Sequence, residues 1–308
     1  MSAPLIADQL AKQLKWEEID PAALASLISI ARMEDLEGWG LGSPPQHSGD
    51  ITSRLLPKGK ERATARLMAR NDLVPCGLPI VQPILDAYGA GASFSPALTD
   101  GKPCSRGTQL GSIEGPARVI LEAERVLLNF LQRLSGVATL TQLYAKALGS
   151  SPTRLLDTRK TTPGYRVLEK YAVACGGGFN HRMGLFDRVM LKDNHLAAAG
   201  ATGGKELAGL VQSYRKSYPE MIIELEVDSI DQIPPALEAG IENILLDNFS
   251  LSGLAQAVSM IGNKAATEAS GGITLEDLPA LGQVGVDFIS TGATVHKAQW
   301  MDIGLDWN

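Results

Sequence analysis

From residue 150 onward the chain alternates short extended runs with amphipathic helical ones, and this alternation leaves few folds open. Candidate strands stand at 153–157, 188–191, 222–227, 243–246, 266–269 and 288–290, with helical patterns at 205–218, 233–239 and 251–261 between them. Strands that alternate with helices build βαβ units, so they predict a parallel sheet. No GxGxxG follows the first strand, which leaves a dinucleotide-binding fold unsupported. A parallel α/β barrel, whole or partial, is the expectation. Nearly every strand ends on a polar residue: Asp157, Lys192, Glu226, Asp247, Ser270, Ser290. In such barrels the carboxyl ends of strands carry the chemistry. Any one of these residues also serves simply to begin a solvated loop, but their recurrence at successive strands favours a site.

The first 150 residues read as mixed α and β. Asp20-Pro21 predicts a capped helix start, followed by the apolar face Leu24, Leu27, Ile28, Ala31. A Gly/Ser/Pro-rich loop covers 38–53, a half-exposed strand 63–69 and a second Gly/Pro-rich stretch 89–115. A long helical region at 121–148 is expected to break near Ser135-Gly136. With 308 residues and 44% apolar content, the chain can bury a full core. The net charge of -6 argues against nucleic acid as a general partner. No apolar run approaches a membrane span, and no secretory signal opens the sequence. Cys76, Cys104 and Cys175 form no metal-binding spacing and read as reduced thiols of a cytoplasmic protein.

Against this acidic background, residues 154–195 hold eight basic residues and four acidic ones. Such an island steers anions. Arg159-Lys160 follows a strand, where arginine can clamp a carboxylate through two parallel hydrogen bonds and lysine adds a point charge. Thr158, Thr161 and Thr162 offer hydroxyl donors. Gly176-Gly177-Gly178 serves either a close ligand approach or a helix terminus before Asn180-His181-Arg182. Arg166 and Lys170 lie four apart on a helix, and Glu169 and Lys170 are expected on its wet face. Lys192 sits at the end of an apolar strand, and His195 caps or turns the loop beyond it.

Glu224 and Glu226 share one side of a strand because the side-chain period is two. Inward carboxylates need cations, water or a metal. Glu224 therefore either joins a metal site or pairs with a core arginine or lysine. Glu226 and Asp247 are oxygen ligands of the kind that suits Mg2+. The small-residue loops Ser270-Gly271-Gly272 and Thr291-Gly292-Ala293, after the last two strands, can present backbone N–H groups to phosphate.

These blocks together resemble the quinolinate phosphoribosyltransferases. The resemblance is carried by LDTRKTTPGYRVLEKYAVACGGGFNHRMGLFDRVMLKDNH (156–195), ERVLLNFLQRLSGVAT (124–139), GDIT (49–52), IELEVDS (223–229), LLDN (245–248), EASGGI (268–273) and STGA (290–293). It implies an N-terminal α/β sandwich domain (1–126 with 297–308) and an incomplete parallel α/β barrel (127–296). It implies a homodimer with shared active sites, or a higher assembly of such dimers. The implied reaction joins quinolinate to phosphoribosyl pyrophosphate with Mg2+, giving nicotinate mononucleotide, pyrophosphate and CO2. By this resemblance Thr158, Arg159, Lys160, His181, Arg182 and Lys192 line the quinolinate pocket, and Arg125 reaches the partner's site. Glu226 and Asp247 contact ribose hydroxyls and Mg2+. Ser270, Gly271, Gly272, Thr291, Gly292 and Ala293 hold phosphate, with His296 close by. Lys160, Lys192, Glu226 and Asp247 are the candidate catalytic groups.

Three rivals remain at this level. Lys192 beside Glu226 would suit a Schiff-base aldolase. A phosphate-ligand sensor without catalysis would use the same loops. A paralogue acting on another aromatic acid, such as the one linked to molybdate transport, would share the TRKTTPG block.

Overall fold

The computed structural model describes residues 3–55, 62–201 and 203–307. It divides into two compact units that interleave along the chain. One comprises Met1–Gln13, Thr141–Thr161 and Gly178–Lys297; the other comprises Leu14–Leu140, Thr162–Gly177 and Ala298–Asn308.

The second unit is built on an antiparallel sheet. Its strands are β1 (Arg62–Ala69), β2 (Ser93–Pro96), β3 (Gln109–Pro116) and β10 (Ile303–Trp307), in the order β10-β1-β3-β2. The end of the chain thus returns to pair with β1, Leu67 opposite Leu305. The helix Pro21–Glu37 starts where Asp20-Pro21 predicts, with the Asp20 carboxylate accepting the Ala22 N–H at 3.0 Å. It stops at Gly38, which takes the left-handed conformation (φ 68°) that favours glycine.

The helix Ala117–Ala147 runs through Ser135-Gly136 without the expected break. Both residues are there for packing. The Ser135 hydroxyl accepts the Cys76 N–H at 3.0 Å. A Cβ on Gly136 would stand 2.0 Å from the Gln299 carbonyl oxygen, so only glycine lets that backbone pass. The wet face expected for Glu169 and Lys170 is also corrected, because both are fully buried. Glu169 accepts Arg133 Nη2 at 2.6 Å and the Thr162 hydroxyl at 2.8 Å. A buried carboxylate is tolerable only when paired in this way. Gly176 and Gly177 form the terminus of the helix Arg166–Cys175: the Gly176 N–H donates to the Ala172 carbonyl, and Gly177 is left-handed (φ 86°).

The first unit holds six parallel strands: β4 (Arg154–Leu156), β5 (Val189–Leu191), β6 (Ile223–Val227), β7 (Asn243–Asp247), β8 (Ala266–Ser270) and β9 (Phe288–Ser290). Their order is β4-β9-β8-β7-β6-β5. The strands consecutive in the chain, β4 and β5, are the two edges, so the barrel is incomplete. Phe179 partly fills the gap, its N–H donating to the Leu155 carbonyl at 2.8 Å. Strands covered on both faces read as near-continuous apolar runs, and Asn243–Asp247 is buried over its first four residues. Ile6, Ala7 and Leu10 of the helix Ala3–Leu10 pack against Leu156, Ala266 and Phe288.

Candidate active site

At the carboxyl ends of the parallel strands lies a cavity of about 460 Å³. Its cationic side comes from the loop after β4 and from the segments flanking β5. Thr158, Arg159 and Lys160 line it from the first, and His181, Arg182 and Lys192 from the second. Its acidic side comes from Glu226, Asp247 and Glu268 on β6, β7 and β8, with Ser270 and Ser290. The strand-end polar residues of the sequence therefore converge, apart from Asp157. That residue is fully buried and works as a clamp: its carboxylate accepts Asn180 Nδ2 and the His181 N–H, each at 2.8 Å. It sets where His181 and Arg182 project.

The interior is layered, as parity along each strand requires. In the deeper layer, Arg188 Nη1 donates to Glu224 Oε2 at 2.9 Å, and His181 Nε2 lies 3.3 Å from Glu224 Oε1 and 3.4 Å from Glu268 Oε1. Glu224 thus takes the arginine-paired alternative. Burial opposes its charge, but His181 and Arg188 hold it well below the ordinary carboxylate range. For His181, burial works against protonation, yet Glu224 and Glu268 prevail and push its pKa up to about 9. A second influence opposes them: the Arg182 N–H donates to His181 Nδ1 at 2.8 Å, so charging the ring costs that bond.

In the upper layer, Lys192 Nζ pairs with Glu226 Oε2, as the parallel register Leu191 to Leu225 dictates. Asp247 Oδ2 accepts Asn248 Nδ2 at 2.8 Å. The Arg182 guanidinium is held below its ordinary pKa by burial and by the nearby Arg159. Arg159 keeps a buried Nε with no hydrogen-bond partner. Cations that crowd each other in this way are eased by an anion placed between them.

The loops after β8 and β9 flank the cavity without lining it. Gly271 (φ 101°) lies against Asn248, where a Cβ would meet Oδ1 at 2.2 Å. Gly292 lies against Lys160, whose Cδ would be 3.0 Å from a Cβ there. The Thr291 hydroxyl accepts the Ala293 N–H at 3.1 Å. Gly272 also follows β8 outside the lining. Arg125 is exposed on the helix Ala117–Ala147 and belongs to the other unit. The sequence reading missed Met190, Leu245 and Glu268 as lining residues. The signal was available: each stands two residues before Lys192, Asp247 or Ser270 and so shares its side of the strand.

Comparison with known proteins agrees with this geometry. The family model for the quinolinate phosphoribosyl transferase C-terminal domain matches residues 137–306, and the N-terminal domain model matches 50–135. A probable carboxylating nicotinate-nucleotide pyrophosphorylase of Bacillus subtilis is 37% identical over 260 residues, covering 84% of this chain and 88% of its own. A decarboxylating quinolinate phosphoribosyltransferase of Nicotiana tabacum is 38% identical over 272 residues, 83% of this chain and 77% of its own. The nicotinate-nucleotide pyrophosphorylase structure from Francisella tularensis superposes with a TM-score of 0.86 at 34% identity, over 94% of this chain and 98% of that one. The Ehrlichia chaffeensis structure gives 0.83 at 33%, over 94% and 100%. The chain belongs to the quinolinate phosphoribosyltransferase family.

Proposed function

We propose that this protein transfers the phosphoribosyl group of phosphoribosyl pyrophosphate to quinolinate and releases pyrophosphate and CO2, forming nicotinate mononucleotide for NAD biosynthesis. The observation that carries this reading is the two-sided cavity: a cationic half, in which Arg159 keeps an unused donor, facing an acidic half. A planar dicarboxylate suits the first, and a sugar that gains positive charge suits the second. The relatives over most of the chain bear carboxylating or decarboxylating names, which favours quinolinate over another aromatic acid.

In this reading Arg159 and Arg182 grip the carboxylates, with Thr158, Lys160, His181 and Lys192 completing that half. The ring nitrogen attacks the anomeric carbon while pyrophosphate leaves. Glu226 and Asp247 stabilise the charge that develops on the sugar, and much of the remaining catalysis is positioning. The ring nitrogen is then cationic and stabilises the carbanion left by loss of the adjacent carboxylate. Ser270, Gly271, Gly272, Thr291, Gly292 and Ala293 hold phosphate. Glu226 and Asp247 are an oxygen donor set that fits Mg2+ shared with water and substrate, and the ion would neutralise phosphate charge there. Arg125 enters the site of a second copy in a homodimer. No described helix is long and apolar enough to cross a membrane, and a cytoplasmic setting suits the three free cysteines.

The test is direct. Incubation with quinolinate, phosphoribosyl pyrophosphate and Mg2+ yields nicotinate mononucleotide and an equal amount of CO2. Tight binding of both substrates by folded protein without product would replace this reading with a sensor. Borohydride trapping of substrate on Lys192 would replace it with an aldolase.

A further inference from the structure

A second cluster lies in the unit built on the antiparallel sheet, which does not contain the cavity described above. The thiols of Cys76 and Cys175 and a carboxylate oxygen of Asp100 all lie within 4.8 Å of one another. These residues come from three segments. Cys76 is buried in the loop before the short turn Leu78–Ile80, while Cys175, partly exposed, ends the helix Arg166–Cys175. Asp100 fixes the arrangement: Oδ2 accepts the Gly77 N–H and the Tyr171 hydroxyl, each at 2.8 Å, and Oδ1 accepts the Leu78 N–H at 3.0 Å. The neighbouring Gly101 is left-handed (φ 80°), and a Cβ there would stand 3.0 Å from the Cys175 carbonyl oxygen. A side chain at Gly101 would crowd the helix end, so glycine eases this approach.

Two chemistries suit paired thiols beside a carboxylate: a metal site and a disulfide. The Asp100 oxygens are already committed to three donors, which leaves them poor ligands. We infer that Cys76 and Cys175 are a site of reversible oxidation, joined as a disulfide by hydroperoxides. A disulfide needs its sulfurs about 2.05 Å apart, so forming it requires side-chain rotation and a small shift of the helix end. Cys175 meets the oxidant first because it is the accessible partner. Its sulfur attacks the peroxide, the O–O bond breaks, and Cys175 becomes a sulfenic acid while hydroxide or alkoxide leaves and takes up a proton. Cys76 then loses its proton to water and attacks Cys175 Sγ. The S–S bond forms, the S–O bond breaks and water leaves. Two thiols are oxidised and one peroxide is reduced. Burial, then the adjacent Cys175 and Asp100, push the Cys76 thiol up, so it waits as a protonated resolving group.

The experiment treats the full chain with hydrogen peroxide, alkylates the remaining thiols and digests it without reduction. The expected product is one linked peptide pair carrying Cys76 and Cys175, separated again by dithiothreitol, with Cys104 alkylated throughout. In Cys175→Ser, loss of the Cys76 thiol slows roughly tenfold or more, since no neighbouring sulfenic acid draws it in. In Cys76→Ala, Cys175 stalls as a sulfenic acid that dimedone labels. Several results would overturn the assignment. These are Cys175 driven to sulfinic acid while Cys76 stays a thiol, a link to Cys104 or to a second chain, or no dimedone label in Cys76→Ala. Release of one equivalent of divalent metal on oxidation would overturn it in favour of a metal site.

Discussion

Arg182 stands where burial and Arg159 both oppose its charge, a cost an incoming carboxylate removes. Arg182→Ala should therefore weaken quinolinate binding by about 10- to 100-fold, the value of a charge-assisted hydrogen bond, and barely alter binding of phosphoribosyl pyrophosphate. Calorimetry on each ligand separately checks this, and equal weakening of both would remove the assigned role. His181 gives a second test. Its folded pKa of about 9 lies above the ordinary 6.5, so the stability it supplies is complete below 6.5 and is lost as pH rises through 9. The stability gap between the native protein and His181→Gln, from urea denaturation, should shrink by up to about 3 kcal/mol across that window. A constant gap would mean that the Arg182 amide keeps the ring neutral. At this scale the sequence was most legible where polar residues end strands. Asp157 shows the limit: the same position in the pattern serves a buried clamp, because burial is decided by the Asn180 and His181 groups that come to meet it.

At the scale of elements, the parallel strands and the helices at 233–239 and 251–261 were readable from apolar runs bounded by turn residues. The errors came from contacts distant in sequence. Ser135-Gly136 looks like a helix break locally, yet the helix continues because glycine there accommodates the Gln299 backbone. Replacing a mid-helix glycine by alanine ordinarily stabilises by roughly 0.5–1 kcal/mol. Here Gly136→Ala should instead destabilise by about 1–3 kcal/mol through overpacking, seen as a lower thermal midpoint with helical content retained. An unchanged or higher midpoint would show that Gln299 yields freely. Glu169 and Lys170 misled in the same way, since the partner of Glu169, Arg133, stands 36 positions earlier.

For the whole molecule, alternation announced the barrel, and β4 and β5 as its two edges came from the sheet order. The interleaving of the two units left no mark in composition, because the segments that cross over carry ordinary amphipathic patterns. The proposed shared site has a consequence at this scale. Arg125→Ala and Lys192→Ala should each be nearly inactive, while refolding them together as mixed dimers should restore about a quarter of the native rate, since only half the dimers are mixed and each regains one site. No recovery in verified mixed dimers would mean that Arg125 serves its own chain or none.

The deep layer of the cavity ends on Glu268, a carboxylate whose Oε1 meets the His181 ring as an ion pair at 3.4 Å without hydrogen-bond geometry. Quinolinate at neutral pH is a ligand of acceptors only and has nothing to donate there. A competitive inhibitor that keeps one carboxylate for the arginines and turns an amidine or amino group toward Glu268 would gain a bond the substrate never makes. Such a compound would discriminate by hydrogen-bond polarity rather than by size.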